Sequence, residues 1–179
     1  QAYNADPSVY DLSIDQVRQS LVSAATPTGP SSPFGTMQTR VFAPDASSVK
    51  WVSRGSHAAF DCVATLQSLG ERKTRVTTSC SGGSPSDGAA AGTALQLREL
   101  VQREFVDSTL RQRPFDMSKV RNQSVAVVAN NLPQMQRDAL RMSSEVSKAS
   151  AAARDAISAQ EREAAVRRMQ AAAAHPSGH

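Results

Sequence analysis

The sequence has few aromatic residues, only two cysteines and no long uncharged apolar run. Aromatic residues make up 4% of the 179 residues, and alanine supplies much of the 40% that is hydrophobic. Large apolar side chains are sparse outside residues 40 to 130, so the predicted core is small. Charged or strongly polar groups interrupt every window of about 20 residues, which excludes a membrane-spanning helix from this chain. The length predicts one compact domain with an extension.

The motifs of familiar catalytic and phosphate-binding sites are also missing. The chain contains no GK[ST] phosphate loop, no GxSxG nucleophile elbow and no HExxH helix. His57 precedes Asp61 by four residues, but two such positions in a strand lie about 13 Å apart. A hydrolase would need His57 beside a nucleophile and a carboxylate in a cleft, and it is kept as an alternative. The expectation is a protein without catalytic residues, bound metal or cofactor.

The formal net charge is +4, and the basic excess falls in the second half of the chain. Residues 1–90 contain seven basic and seven acidic side chains, whereas residues 91–179 contain thirteen and nine. The two signs are interleaved, which is typical of solvated helix faces. No basic module with interleaved aromatic residues occurs, so nucleic acid is not the expected partner. The excess instead favours an acidic protein partner or peripheral contact with an anionic membrane surface.

The first 82 residues predict one helix followed by β-structure. After an extended lead-in, Ser13 and Gln16 have the spacing of a capping box, and a helix follows to about Ala25. Three prolines in residues 26–35 end that helix. Short β-rich runs separated by brief breaks then predict a four-stranded antiparallel meander. Its strands are expected near residues 38–43, 48–54, 58–67 and 73–81.

The second half of the chain is predicted to be helical. An apolar stripe from Thr93 to Arg111 indicates a helix that covers one face of the sheet. A helix from Ser118 to about Asn130 follows, and Pro133 marks a break. Beyond it, an Ala-rich pattern of roughly 40 residues predicts a helix of about 60 Å. The fold class is therefore α+β, divided into a lead-in (1–12), a compact domain (13–116), a helical extension (117–174) and a tail (175–179).

This order of elements resembles that of helix-grip lipid-binding domains. In those domains a curved sheet wraps a long helix, and the resemblance implies the same arrangement of sheet and covering helix here. It rests on element order, and no diagnostic residues accompany it.

The two cysteines fall at the ends of a predicted hairpin. Placing Cys62 opposite Cys80 also pairs Ala64 with Thr78 and Leu66 with Val76, around a turn centred on Glu71. The favoured interpretation is a structural disulfide, which would contribute about 3 kcal/mol in the loop-entropy model. Two reduced core cysteines, or a metal or redox role, are the alternatives. The spacing of Cys62 and Cys80 matches neither a CxxC motif nor a zinc ribbon.

The disulfide predicts an oxidising compartment. The chain begins at Gln1 rather than methionine, which fits removal of a signal peptide. With a sequence pI near 9.5, these features predict a protein of the periplasm or the cell exterior that is associated with the membrane through partners.

A heptad-like seam in the long helix suggests how the protein acts. Small and medium apolar residues recur at alternating spacings of four and three, and an isolated helix of this kind needs a companion surface. We expect an exported, non-catalytic accessory or structural subunit that docks through this seam onto a larger, membrane-associated protein assembly. The predicted partner-binding residues are Met135, Ala139, Met142, Val146, Ala149, Ala153 and Ala156.

A binding module for a small apolar ligand or lipid is the alternative function. Its site would be a cavity between the sheet and the helix 93–111, and a filled core there would exclude it. The predicted lining residues are Phe42, Trp51, Phe60, Leu97, Val101 and Phe105.

Overall fold

The computed structural model describes residues 5–25, 37–55, 59–82 and 88–174 and has an α+β fold. The elements in chain order are β1 (Val9–Tyr10), α1 (Ile14–Ser23), β2 (Met37–Asp45), β3 (Ser48–Gly55), β4 (Ala59–Gly70), β5 (Lys73–Gly82), α2 (Ala89–Leu110) and α3 (Met117–Ala174).

The sheet has five antiparallel strands in the order β1-β5-β4-β3-β2. The meander of β2 to β5 is confirmed, but the prediction of four strands is wrong because the lead-in supplies a fifth. β1 has only two residues, too few to show a period, and it pairs Val9 with Arg75 and Tyr10 with Thr74. Tyr10 is buried, so this short strand is held by its aromatic side chain as well as by its backbone.

Alternation along the strands assigns one face of the sheet to the core. In β3, Val49, Trp51 and Ser53 are buried, while the residues between them are more exposed. The buried set continues across the neighbouring strands, because Val49 pairs with Ala64 and Trp51 with Cys62. The core consists of these side chains packed with residues from α1 and α2, including Val17, Leu21, Phe105, Val106 and Leu110.

The predicted start of α1 is confirmed in detail. Ser13 Oγ accepts a hydrogen bond from the Gln16 backbone N–H at 3.2 Å, and Gln16 Oε1 accepts one from the Ser13 backbone N–H at 3.0 Å. This reciprocal capping box satisfies two backbone donors at the helix N-terminus. It directs Val17 and Leu21 into the core, where both are fully buried.

The structure corrects the expected break at Pro133. α3 runs without interruption from Met117 to Ala174 and contains Pro133 in its interior. A proline there removes one backbone hydrogen bond and crowds the preceding turn. Ending one helix and starting another would leave several more backbone groups without intrahelical partners. Alanine and other strong helix formers on the C-terminal side favour the continuous helix.

The chain divides into two units, Gln1–Met135 and Gln136–His179. The first contains the sheet, α1, α2 and the start of α3, where Asn131 Nδ2 donates to Gln96 Oε1 at 3.1 Å. The second contains the rest of α3. Residues 117–135 of α3 therefore belong to the first unit, and the Asn131–Gln96 hydrogen bond joins them to α2.

Candidate functional site

The predicted disulfide is present between β4 and β5. Cys62 and Cys80 are directly opposed, with a Cα–Cα distance of 4.0 Å, and the predicted pairs Ala64–Thr78 and Leu66–Val76 have the same register. A disulfide indicates an oxidising location outside the cytoplasm. No helix in the described ranges combines the length and apolar character needed to cross a bilayer.

The stapled end of the hairpin is also tied to α2. The Cys80 backbone N–H, which points away from β4, donates to Glu99 Oε2 at 3.1 Å. Glu99 in turn forms an ion pair with Arg103, one turn further along α2. The helix therefore covers an otherwise open backbone donor at the edge of β5, a common way to protect a sheet edge.

The six residues predicted to line an apolar cavity do not share one side of the sheet. Phe42 pairs with Lys50, whereas its neighbour Val41 pairs with Trp51. Because adjacent residues of a strand point to opposite faces, Phe42 lies on the face away from α2. On the core face, the Trp51 and Phe105 rings pack edge to face with centroids 6.3 Å apart. Phe60 is buried there too, and Leu97 and Val101 are half-buried on α2.

Three buried side-chain donors on the core side have no hydrogen-bond partner among the described residues. They are Trp51 Nε1, Arg98 Nε and Gln102 Nε2. Arg98 Nη2 makes one bond, to Ser53 Oγ at 3.1 Å, and burial lowers the pKa of Arg98. The sequence carried a signal for this set, because Arg98 and Gln102 occupy the face of α2 that continues to Phe105, where apolar residues are expected.

A separate groove of about 570 Å³ lies where β1, β5, α2 and the start of α3 meet. Val76, Leu100 and Val106 supply apolar lining. Each charged side chain that lines it is already ion-paired: Arg103 with Glu99, Lys119 with Glu104, and Arg111 with Asp107. No charged side chain of this lining is therefore without an ion-pair partner.

The ion pairs beside this groove join three segments of the chain. Tyr10 Oη donates to Asp107 Oδ1 at 2.7 Å, and the Arg111 guanidinium lies 4.8 Å from the centre of the Tyr10 ring. Burial and the neighbouring Asp107 carboxylate raise the pKa of Tyr10. Burial alone would raise the pKa of Asp107, but hydrogen bonds from Tyr10, Arg113 and Arg111 outweigh it and keep that pKa low. The network anchors β1 to α2.

The predicted partner-binding seam divides between the two units. Met135 is half-buried in the first unit, where its sulfur accepts a hydrogen bond from Thr93 Oγ1 at 3.6 Å. The other six seam residues lie in the second unit and are exposed, including Met142 (54%) and Val146 (66%). Large apolar side chains outside the seam are exposed in this unit as well, namely Leu140, Ile157, Val166 and Met169.

The hydrolase alternative depends on His57, which lies outside the described residues. Within the described ranges, no three histidine, cysteine, aspartate or glutamate side chains form a group that could hold a metal ion. Comparison with known proteins adds no relative, because no protein-family model, curated protein or solved structure matches this chain.

Proposed function

We propose that the protein is an exported, non-catalytic accessory subunit that docks through residues 136–174 onto another protein of a membrane-associated assembly. The oxidising location that the disulfide indicates supports placing it in the periplasm or at the cell exterior. The docking partner is a protein, and the chain contacts anionic lipid only where the assembly brings it to the membrane surface.

The observation that carries this proposal is the apolar exposure of the second unit. Met142, Val146 and Ile157 are each more than half exposed. At 3.6 residues per turn they fall within about 60° of one another around the helix. Such side chains gain roughly 1.5 to 3 kcal/mol each on full burial. Alanine at seam positions between them would allow a partner helix to approach closely.

Charge favours a different protein over a second copy of this chain. Residues 136–174 contain seven basic and five acidic side chains, an excess of two positive charges. Two copies would bring the same excess together, whereas a partner helix with acidic flanks would complement it. We therefore propose an apolar helical surface with acidic flanks as the occupant of the seam.

The test is a binding measurement with two double variants of equal charge change. Met142→Glu with Val146→Glu places two carboxylates on the seam, and Ser143→Glu with Ser147→Glu places two on the neighbouring polar face. Glutamate is a good helix former in either set. The partner is captured from the native source and then purified, and its affinity for each oxidised full-length variant is measured. We expect the seam variant to bind at least tenfold more weakly and the serine variant to bind like wild type.

Equal binding by the two double variants would show that the seam is not the docking surface. Light scattering of the isolated wild type provides a second arm. A stable dimer that the seam substitutions dissociate would assign the surface to self-association and overturn the proposed partner.

A further inference from the structure

A half-buried cation without a carboxylate partner, Arg98, lies between the sheet and α2. In the described part of the chain, the guanidinium of Arg98 bonds only to the neutral Ser53 hydroxyl, and its Nε is buried without a partner. An unpaired buried charge is costly, and the usual remedy is a counterion. Arg103 and Arg111 each form an ion pair with a carboxylate of α2. Arg98 differs from both in having no carboxylate partner in the described part of the chain.

The other two unpartnered groups in this interface are also N–H donors. Trp51 is 1% exposed and Gln102 is 5% exposed, and the indole Nε1 and the amide Nε2 have no acceptor among the described residues. Buried side-chain donors are nearly always hydrogen-bonded in native proteins. Because all three orphan groups are donors, the missing component is an acceptor, and the charge of Arg98 indicates an anion.

The three donors follow one strip along the interface. Arg98, Gln102 and Phe105 occupy successive turns of α2, so they share one face of that helix. Arg98 contacts Ser53 at one end and Phe105 contacts Trp51 at the other, and Ser53 and Trp51 are alternate residues on the core face of β3. Gln102 therefore lies between the two contacts, on a strip about 10 Å long by helical rise.

An apolar flank runs beside this strip. Ala94, Leu97 and Val101 have the spacing of one helical face, adjacent to the face of Arg98, and all three are half-buried. Partly exposed apolar side chains beside unpartnered buried donors combine a surface for a hydrocarbon with a site for its polar end.

We propose that this strip binds an acidic amphiphile, whose anionic headgroup accepts hydrogen bonds from Arg98 and Gln102 while its alkyl chain lies along Leu97 and Val101. Trp51 Nε1, at the other end of the strip, donates to a water that is held by the headgroup. The chemistry suits an alkyl carboxylate or an alkyl phosphate, because both present oxygen acceptors with negative charge. This site is independent of docking through residues 136–174.

The single tryptophan of the chain provides a direct readout. Dodecanoate and dodecyl phosphate, below their micelle concentrations, and the neutral dodecanol, below its solubility limit, are titrated into the oxidised full-length protein, and Trp51 fluorescence is followed. We expect saturable binding of at least one anionic probe, and the tighter of the two identifies the headgroup. Dodecanol should bind at least tenfold more weakly, because it lacks the charge that Arg98 complements.

Two arginine variants locate the site on α2. Arg98→Met, which removes the charge and keeps much of the volume, should weaken binding about 10- to 100-fold, the range for a charge-assisted hydrogen bond. Arg103→Met on the same helix, next to the separate groove, should leave binding unchanged. Gln102→Leu should weaken binding about 3- to 10-fold, which gives a second test if Arg98→Met folds poorly.

The stability of the ligand-free variant separates binding from a structural role. Since Arg98 lacks a carboxylate partner, Arg98→Met should melt at or above the wild-type temperature. A markedly lower melting temperature would make Arg98 a structural residue. Binding that depends on Arg103 rather than Arg98, equal binding of dodecanol, or no saturable fluorescence change would each overturn the proposed site.

Discussion

The side chain of one residue, the buried Glu104, joins three segments of the first unit. It is 3% exposed, accepts hydrogen bonds from Arg113 Nη2 at 3.0 Å and from the Asp116 backbone N–H at 3.0 Å, and lies 3.5 Å from Lys119 Nζ. These contacts connect α2, the following turn and the start of α3. The hydrogen bonds from Arg113 are the main reason that the pKa of Glu104 is lowered despite its burial.

Replacing this carboxylate should destabilise the fold. Glu104→Gln keeps the shape of the side chain but removes the charge opposite Arg113, and hydrogen bonds to a charged group contribute about 1.5 to 3 kcal/mol. We expect the free energy of unfolding at pH 7 to fall by about 2 kcal/mol in urea titrations. Glu161→Gln, at an exposed position of α3, is the control and should change it by less than about 0.5 kcal/mol. Equal effects of the two variants would contradict a special role for Glu104.

The same carboxylate predicts a pH dependence with a definite sign. The pKa of Glu104 in the folded state lies below its ordinary value of 4.5, so the unfolded chain takes up this proton first as the pH falls. The stabilisation is therefore complete above about pH 5 and is lost as the pH falls through the folded-state pKa. Unfolding free energies measured between pH 7 and pH 3 should converge for wild type and Glu104→Gln. A constant difference across that range would show that the charge of Glu104 is not responsible.

Among the secondary structure elements, the β4–β5 hairpin was the most predictable part of the fold. Two cysteines at mirror positions around a short turn define a register, and the observed pairs have it. β1 was not predictable because two residues carry no periodicity, and its burial depends on Tyr10 reaching Asp107, 97 positions away. The break predicted at Pro133 was wrong, because the local preference of proline for helix ends is outweighed by the continuous helix on both sides of it.

The disulfide should contribute to stability mainly through the unfolded chain. The loop between Cys62 and Cys80 predicts a loss of about 3 kcal/mol in the loop-entropy model when the bond is removed. We expect Cys62→Ala with Cys80→Ala to lower the urea midpoint accordingly at pH 7. Dithiothreitol should lower the midpoint of the wild type and leave that of the double variant unchanged. A reductant effect on the variant would point to a cause other than the disulfide.

At the scale of the whole molecule, sequence patterns predicted the classes of element better than the polar contacts that hold them together. The predicted meander of β2 to β5 and the covering helix α2 are present. The unpartnered donors of Arg98 and Gln102 could not be derived, because periodicity shows which face a residue occupies but not whether an acceptor meets it. The ion pair of Glu104 could not be predicted either, because its partner Arg113 lies beyond the end of α2.

The contrast in burial between the two units predicts unequal resistance to trypsin. In residues 136–174 every side chain is exposed except the partly buried Asp138 and Ala164, and a helix without tertiary burial opens readily. We expect the first cuts after Arg141, Lys148 and Arg154, followed by accumulation of a resistant fragment that contains the disulfide, detected by mass spectrometry.

The sequence makes this digestion a test of the folded elements alone. Residues 26–36, 56–58 and 83–87, which lie outside the described structure, contain no lysine or arginine, so trypsin can cut the first unit only within or beside described elements. Early cuts after Arg54 or Arg75, before those after Arg141, would contradict the expected order. Addition of the purified docking partner should slow cleavage at Arg141 and Lys148, and it should do so less for Met142→Glu with Val146→Glu than for Ser143→Glu with Ser147→Glu.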